Sequence, residues 1–521
     1  MSTLDRAARH ALPALIILGA IDRLHLLLEF GFRWTGTDEV IFWEMARDYG
    51  HGIFHEPYLY AQNYNPALEA LLGAPFLWFG LAPWIALPIV TSLLALLPFW
   101  SFAVWNQRQG NVAAACVFAA MPLLLPVEFG LLTTITRGFV QGAAVLALLP
   151  WTLSITTAWR RHSLSALVIA FALFLNPNAL VFAVAAGVVM IHAGWRKPSF
   201  WLWSVVGLLP VALAWFAAHG YYDRYPGTIR HSIQDWELQF HPELIALGLS
   251  RLDAHFQGLA PLWWPNGHVV LWFLVAAVVL LWRTGSKPMA VATGIALLTM
   301  VIALGFYKVH DGVDSIFFSR ARMFLAAPLL LAWAASGALA HTLKARRWVI
   351  IITLSSAAVF ILKQAVLSAR VEKHVSQQQG SHVREVPVEE IRSECASIAR
   401  IAAQHGVDLV VPLRWPDMHQ GPEPHFRSYF HCYACSFLVE GMPPTLGPDY
   451  DRRHWVNEAD RQQPAHTIMF IGGDPEAWKW AHVDGVRIET IPHPTLLTHI
   501  AHGNSLPAEE LTIAFGVWGW K

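Results

Sequence analysis

Charge is scarce in this chain. Asp, Glu, Lys and Arg make up 14% of its 521 residues, where a soluble domain carries about a quarter. The shortage excludes a wholly water-solvated fold and points to lipid as the solvent for much of the chain. No excess of either sign is present, with 36 basic and 36 acidic residues. Net charge therefore argues neither for nor against nucleic acid, and no nucleic acid is expected as a partner. Cysteine is rare: Cys116 lies in an apolar run, and Cys395, Cys432 and Cys435 lie in a polar tail. The first apolar segment has no small-residue cleavage site after it, so a cleaved signal is not expected. There is no internal repeat either.

Apolar runs and tryptophan are abundant. The runs cover 11–30, 84–105, 111–127, 138–158, 164–175, 179–193, 199–219, 268–282, 289–306, 323–341 and 348–367. A span needs about 20 residues, so about eleven transmembrane helices are expected. The short fifth and sixth runs flank Asn176-Pro177-Asn178 and form two short spans or one re-entrant hairpin. Many of the 25 Trp flank these runs, Trp84, Trp105, Trp159, Trp201, Trp272 and Trp282 among them. Trp favours the membrane interface, because its ring is apolar and its N–H is not.

The connectors alternate in charge. One set holds Arg6, Arg9, Arg108, Arg160, Arg161, Arg196, Lys197, Arg283, Lys287, Lys344, Arg346 and Arg347 against the single acid Asp5. The first connector of the other set, 31–83, carries Asp38, Glu39, Glu44, Asp48, Glu56 and Glu69 against Arg33 and Arg47. Positive residues stay in the cytoplasm, so the N-terminus is expected inside. An odd number of spans then puts 368–521 outside, with the loops 31–83 and 220–267. The expected organisation is a membrane domain over 1–367 and a soluble periplasmic α/β domain over 368–521.

In the first outer loop Phe42, Met45, Ala46 and Tyr49 recur at helical spacing, with Thr37 as the expected N-cap. A second amphipathic helix after Pro66, with Leu68, Leu71, Leu72, Pro75, Phe76 and Phe79, is too short to span and is expected in the interface plane. Asp38 and Glu39 have two readings. Acids in a helix's first turn are favoured by its dipole, and a carboxylate at this boundary can also take a proton from an acceptor hydroxyl.

These residues carry a resemblance. Trp34-x3-Asp38-Glu39, then Ala61-Gln62-Asn63-Tyr64-Asn65-Pro66-x2-Glu69-Ala70, Thr136-Arg137-Gly138, Asn176-Pro177-x2-Leu180, Gly207-Leu208-Leu209-Pro210 and Arg320-x-Arg322 follow in an order and sidedness similar to GT-C membrane glycosyltransferases. The protein O-mannosyltransferase and aminoarabinose-transferase types are the nearest. The resemblance covers about residues 10–370 and departs from the family pattern at Pro66 and Met323. It implies a GT-C-like polytopic α-helical membrane protein whose donor is a sugar on a polyprenyl phosphate and whose acceptor is a lipid, glycan or protein. It implies Asp38 as catalytic base with Glu39 beside it, and Gln62, Asn63, Tyr64 and Glu69 as substrate contacts. No cofactor is fixed by it: some relatives use a divalent cation and others none. No metal ligands are assigned.

Arg137, Lys308, Arg320 and Arg322 lie at the depth of a lipid phosphate, which guanidinium groups bind bidentately; long basic chains also snorkel to interfaces. His310 and Asp311 are nearby without an assigned role. Asp22, His25 and Glu29 share one face of the first span; Glu29, near its outer end, has a reading as lining of the active-site cleft, and a buried structural pair with Arg23 or Arg33 is the expected one. Tyr221, Tyr222, Tyr225 and Trp236 give the second outer loop faces that stack on sugars or anchor at the interface. In the tail, Ile391, Cys395, Ile398, Ile401 and Ala402 form a helical stripe, and 407–411, 467–471 and 486–491 read as strands. Cys432-x2-Cys435 after His419, His425 and His431 suits a disulfide better than zinc outside the cytoplasm. The expected reaction is an inverting transfer on the periplasmic face of a bacterial inner membrane. A transporter or flippase is the runner-up, and a non-catalytic envelope-assembly protein the third reading.

Overall fold

The computed structural model describes residues 3–60, 62–229, 232, 239–307, 319–339, 345–377, 385–413, 435, 437–445, 465–472, 485–492 and 498–506. Lys308, His310, Asp311, Trp236, His419, His425, His431 and Cys432 lie outside them. The chain forms two compact units. One comprises 1–31, 64–220 and 232–377, and the other 32–63, 221–231 and 378–521.

The first unit is helical. Among the described residues its helices are α1 (Thr3–Leu26), α3 (Leu68–Trp78), α4 (Pro83–Arg108), α5 (Val112–Leu124), α6 (Val127–Leu132), α7 (Gln141–Val145), α8 (Leu149–Leu153), α9 (Ala158–Leu175), α10 (Leu180–Gly194), α11 (Pro198–Arg224), α12 (Glu243–Ser250), α13 (Leu252–Phe256), α14 (Val269–Arg283), α15 (Lys287–Ala303), α16 (Ala327–Leu339) and α17 (Ala345–Gln377); α2 (Thr37–Gly50) belongs to the second unit. Among the described residues seven helical stretches are long and apolar enough to cross a membrane: His10–Gly31, Pro83–Arg108, Ala158–Leu175, Pro177–Gly194, Pro198–Arg224, Arg320–Leu339 and Arg347–Gln377. The expected spans at 111–127, 138–158, 268–282 and 289–306 are shorter apolar helices of 10–17 residues. Proline and interrupting turns account for part of this. Pro126 caps α6 just beyond α5, and a 3-10 turn separates α7 from α8.

Burial separates inner from outer helices. Two thirds of the apolar window in Pro83–Arg108 and in Arg320–Leu339 is buried, against 11% in Pro198–Arg224. The last of these leaves Leu202, Leu213 and Phe216 exposed. Water would not tolerate an apolar face of that extent, and hydrocarbon does.

Charge inside the first unit is paired. Lys363 Nζ lies 2.7 Å from Asp22 Oδ2, and Gln364 Nε2 donates to Asp22 Oδ1 at 2.8 Å. The structural pair expected for this face therefore exists with a different partner, 341 residues away. Arg23 instead donates to the Gly130 carbonyl and to the hydroxyls of Thr133 and Thr134. These bonds tie the first long helix to the last and to the α6 region. In a low-dielectric interior that pairing is what makes the charges tolerable.

In the second unit a mixed sheet runs in the order β3 (Leu409–Leu413), β4 (Ala465–Gly472), β6 (Thr498–Leu506), β5 (Arg487–Ile491). β3 and β4 are parallel, and the other pairs antiparallel. Val410, Val411, Ile468, Met469, Phe470, Ile471, Ile500 and Ala501 are fully buried. Helix α18 (Val388–His405) presents Ile391, Cys395, Ile398 and Ala402 as its buried stripe, the stripe expected from spacing, and ends where Gly406 turns left-handed at φ 61°. β6 was not foreseen, because Thr498-His499-Ile500-Ala501-His502-Gly503 lacks apolar alternation.

The cysteine reading changes. Cys435 is disulfide-bonded to Cys395 across 40 residues, so Cys435 is neither Cys432's partner nor a thiolate ligand. Fixing a helix stripe to a distant segment matters more than closing a two-residue gap: in the chain-entropy account a closed loop of this length contributes about 4 kcal/mol.

Candidate functional site

The segment after the first long helix folds with the tail. β1 (Trp34–Thr35) pairs antiparallel with β2 (Val386–Pro387), and the Val388 amide donates to the Arg33 carbonyl at 2.8 Å. α2 (Thr37–Gly50) packs Trp43 edge-on against Phe437 at 6.4 Å, and Arg47 lies 4.4 Å over the same ring. The helix starts one residue earlier than expected: its N-cap is Gly36, whose amide donates to Glu39 Oε2 at 2.9 Å. Glu39, buried, thus holds the helix start. Asp38, half-buried one residue before it, stands in the same first turn. Gln62 and Asn63, both half-buried, close this segment.

Sequence reading missed two pairs in this unit. Tyr60 donates to Asp48 Oδ2 at 2.6 Å. Burial raises the Asp48 carboxyl above its ordinary range despite that bond, and burial and the carboxylate together raise the Tyr60 phenol. Tyr222 donates to Glu56 Oε2 at 3.0 Å and stacks on Tyr58 at 5.8 Å. Both join residues too far apart for any spacing rule to find.

The first unit gathers three of the motifs into one buried polar knot. Glu69, with no exposed surface, accepts from the Gly138 amide at 2.7 Å. Asn65 donates to the Arg137 carbonyl at 3.2 Å. Gln141 Nε2 donates to Asn65 Oδ1 at 2.8 Å and to the Leu175 carbonyl at 3.0 Å, while its Oε1 accepts from the Leu68 amide at 3.0 Å. Asn176 and Asn178 donate to the carbonyls of Gly138 and Phe139 at 2.8 and 3.1 Å. Backbone groups freed by the break between Gly138 and α7 are thereby satisfied inside the unit, as hydrocarbon requires. Gln141 was missed: a lone amide in an apolar run has no signature.

The basic residues sort by exposure. Arg137 is buried at this knot. Arg322 is half-buried, with its guanidinium 5.5 Å over the Phe139 ring. Arg320 is buried; its amide donates to His255 Nδ1 at 3.2 Å and its guanidinium to the Leu304 carbonyl. Arg320 therefore holds α15 and α13, and Arg322 is the more accessible of the two. Tyr64 and Glu69 fall in the first unit with these arginines, and Asp38, Glu39, Gln62 and Asn63 in the second.

Long apolar helices around an irregular, polar-satisfied junction define the class by fold alone: a helical protein built to span a membrane. Two solved structures with a similar fold are of ArnT from Cupriavidus metallidurans. One is bound to undecaprenyl phosphate (11% identity, TM-score 0.53) and one is in the apo state (13% identity, TM-score 0.53), and each likeness covers 93% of this chain and 97% of the other. No protein family and no curated protein matches this chain by sequence.

Proposed function

We propose that this chain is an inverting glycosyltransferase that moves a sugar from a polyprenyl-phosphate donor to an acceptor hydroxyl on the outer face of the membrane. The observation that carries the reading is the knot joining Asn65, Glu69, Arg137, Gly138, Gln141 and Asn176, within a fold shared by a protein crystallised with undecaprenyl phosphate. Asn65 and Glu69 hold the carbonyl and the amide of the Arg137–Gly138 peptide, so the arginine is presented from a rigid element. Arg137 and Arg322 receive the lipid phosphate. Asp38 takes the acceptor proton as that oxygen attacks the anomeric carbon. The departing phosphate is a stable anion and needs no proton, so donors aimed at its growing charge supply most of the stabilisation.

Sidedness has support independent of loop charge. Trp34–Thr35 pairs with Val386–Pro387, and Tyr222 with Glu56, so the first loop, the outer end of α11 and the tail share one side. The number of crossings between 63 and 221, and again between 224 and 385, must then be even. Four of the seven long stretches fall in the first interval and two in the second. The shorter α5 with the α7–α8 segment, and α14 with α15, then cross as pairs or not at all. Eleven spans, with the second unit outside, satisfy both conditions.

The phosphate assignment is tested by titrating the purified chain in nanodiscs with undecaprenyl phosphate, read by native mass spectrometry. Arg322→Gln is expected to weaken binding tenfold or more, since a charge-assisted hydrogen bond contributes about 1.5–3 kcal/mol. Arg322→Lys should fall between, because an ammonium cannot bind bidentately. Unchanged affinity in Arg322→Gln removes Arg322 from the phosphate site.

A further inference from the structure

We propose that His405, Glu489 and His502 form a binding site for a zinc-class divalent cation in the soluble unit, separate from the chemistry above. The three residues come from three elements. His405 is the last residue of α18, Glu489 lies on the edge strand β5, and His502 lies on β6. Their ligand atoms all lie within 4.8 Å of one another, and His502 Nε2 is 3.8 Å from Glu489 Oε2.

The fold places them together for identifiable reasons. Arg487 is directly opposite His502 across the β5–β6 ladder, and Glu489 opposite Ile500. Glu489 and His502 are therefore diagonal neighbours on one face, a relation long side chains can bridge. His405 reaches the pair because Gly406, at φ 61°, ends α18 there. A helix C-terminus carries partial negative charge, which favours a cation beside its last residue.

The donor set selects the metal class. Two imidazoles and one carboxylate are the three-ligand set of open zinc sites, with the fourth position left to water. Tetrahedral ligands about 2.0–2.1 Å from zinc stand about 3.4 Å apart, so side-chain rotation within the present backbone closes the cluster. All three side chains are partly exposed, which gives the ion an entry path and room for the water. A hard cation such as Mg2+ would be poorly served by two imidazoles. Arg487 Nη2, 3.8 Å from Glu489 Oε2, is the competing cation. It stands at the strand edge with its side chain largely exposed, so an ion can displace it into water. Bound there, the ion would tie the end of α18 to β5, the last strand of the sheet among the described residues.

The test uses the full chain in detergent, stripped with chelator and titrated with Co2+ as a spectroscopic probe and then with Zn2+. The wild type is expected to show the d–d absorption of a low-coordinate Co2+ site at one equivalent, displaced by Zn2+. His405→Gln combined with His502→Gln should lose that signal and bind Zn2+ at least a hundredfold more weakly. Zn2+ should slow amide exchange in β5 and β6 of the wild type and leave the double variant unaffected. Exchange in β3 and β4, equal in the two proteins, shows that the variant is folded. If it is not, His502→Gln alone, which removes one ligand, must still weaken binding at least tenfold. Equal Zn2+ binding by wild type and variant, or ion-independent exchange in β5 and β6, overturns the proposal.

Discussion

Asp38→Asn is expected to lower the rate of sugar transfer by about 10²–10⁴-fold, the usual contribution of a general base. The substitution keeps shape and polarity and removes the ability to accept a proton. Asp38 stands in the first turn of α2, next to Glu39, whose Oε2 receives the Gly36 amide. That neighbour already caps the helix, so the helix does not depend on Asp38 in the same way. Expression, thermal stability and undecaprenyl phosphate binding should therefore match the wild type. Single-turnover transfer from a synthetic polyprenyl-phosphate sugar gives the rate directly. A rate within a few-fold of wild type would place the base elsewhere, and Asp48, whose carboxyl burial raises, would be the next group to replace.

Gly138→Ala should damage the first unit strongly. Gly138 has φ 74°, a conformation that costs a non-glycine residue about 1–3 kcal/mol. An added Cβ would also lie 2.3 Å from Asn65 Oδ1 and 2.6 Å from its Nδ2. Asn65 would have to leave, taking with it the bonds to the Arg137 carbonyl and from Gln141. The Glu69 carboxylate would remain buried beside a displaced amide. The expected outcome is a lower melting temperature and a loss of undecaprenyl phosphate binding larger than that of Arg322→Gln, measured in the same titration. Unaltered melting and binding would mean that the knot does not position Arg137.

The helical frame was legible because lipid demands long apolar runs, and such runs need no partner to be recognised. Asn65, Glu69, Arg137 and Asn176 could be picked from the chain by the order of their motifs. That Glu69 meets Gly138, 69 positions on, could not, because a buried hydrogen bond leaves no periodic trace. The same holds for Asp22 and Lys363. The sequence shows a charge in a span, and only packing shows which of several cations neutralises it. Helix lengths were overstated where apolar composition continues through a break: 138–158 reads as one run, yet α7 begins only at Gln141 and a 3-10 turn follows Val145. Composition reports solvent, while the backbone answers to Gly138 and to the amides that satisfy it. The tail was read for its helix and three of its strands. Its tie to the first loop through Trp34 and Thr35 rests on a two-residue ladder, below the length at which alternation means anything.

The central claim is that the chain consumes a polyprenyl-phosphate sugar. Mass spectrometry of lipids and envelope glycans from cells lacking the chain tests it most directly, with wild-type and Asp38→Asn copies restored in parallel. The account predicts that the lipid-phosphate sugar accumulates in the deletion, that one glycoconjugate is lighter by a single sugar, and that only the wild-type copy reverses both. Unchanged lipid and glycan profiles in the deletion, or full rescue by Asp38→Asn, would contradict it.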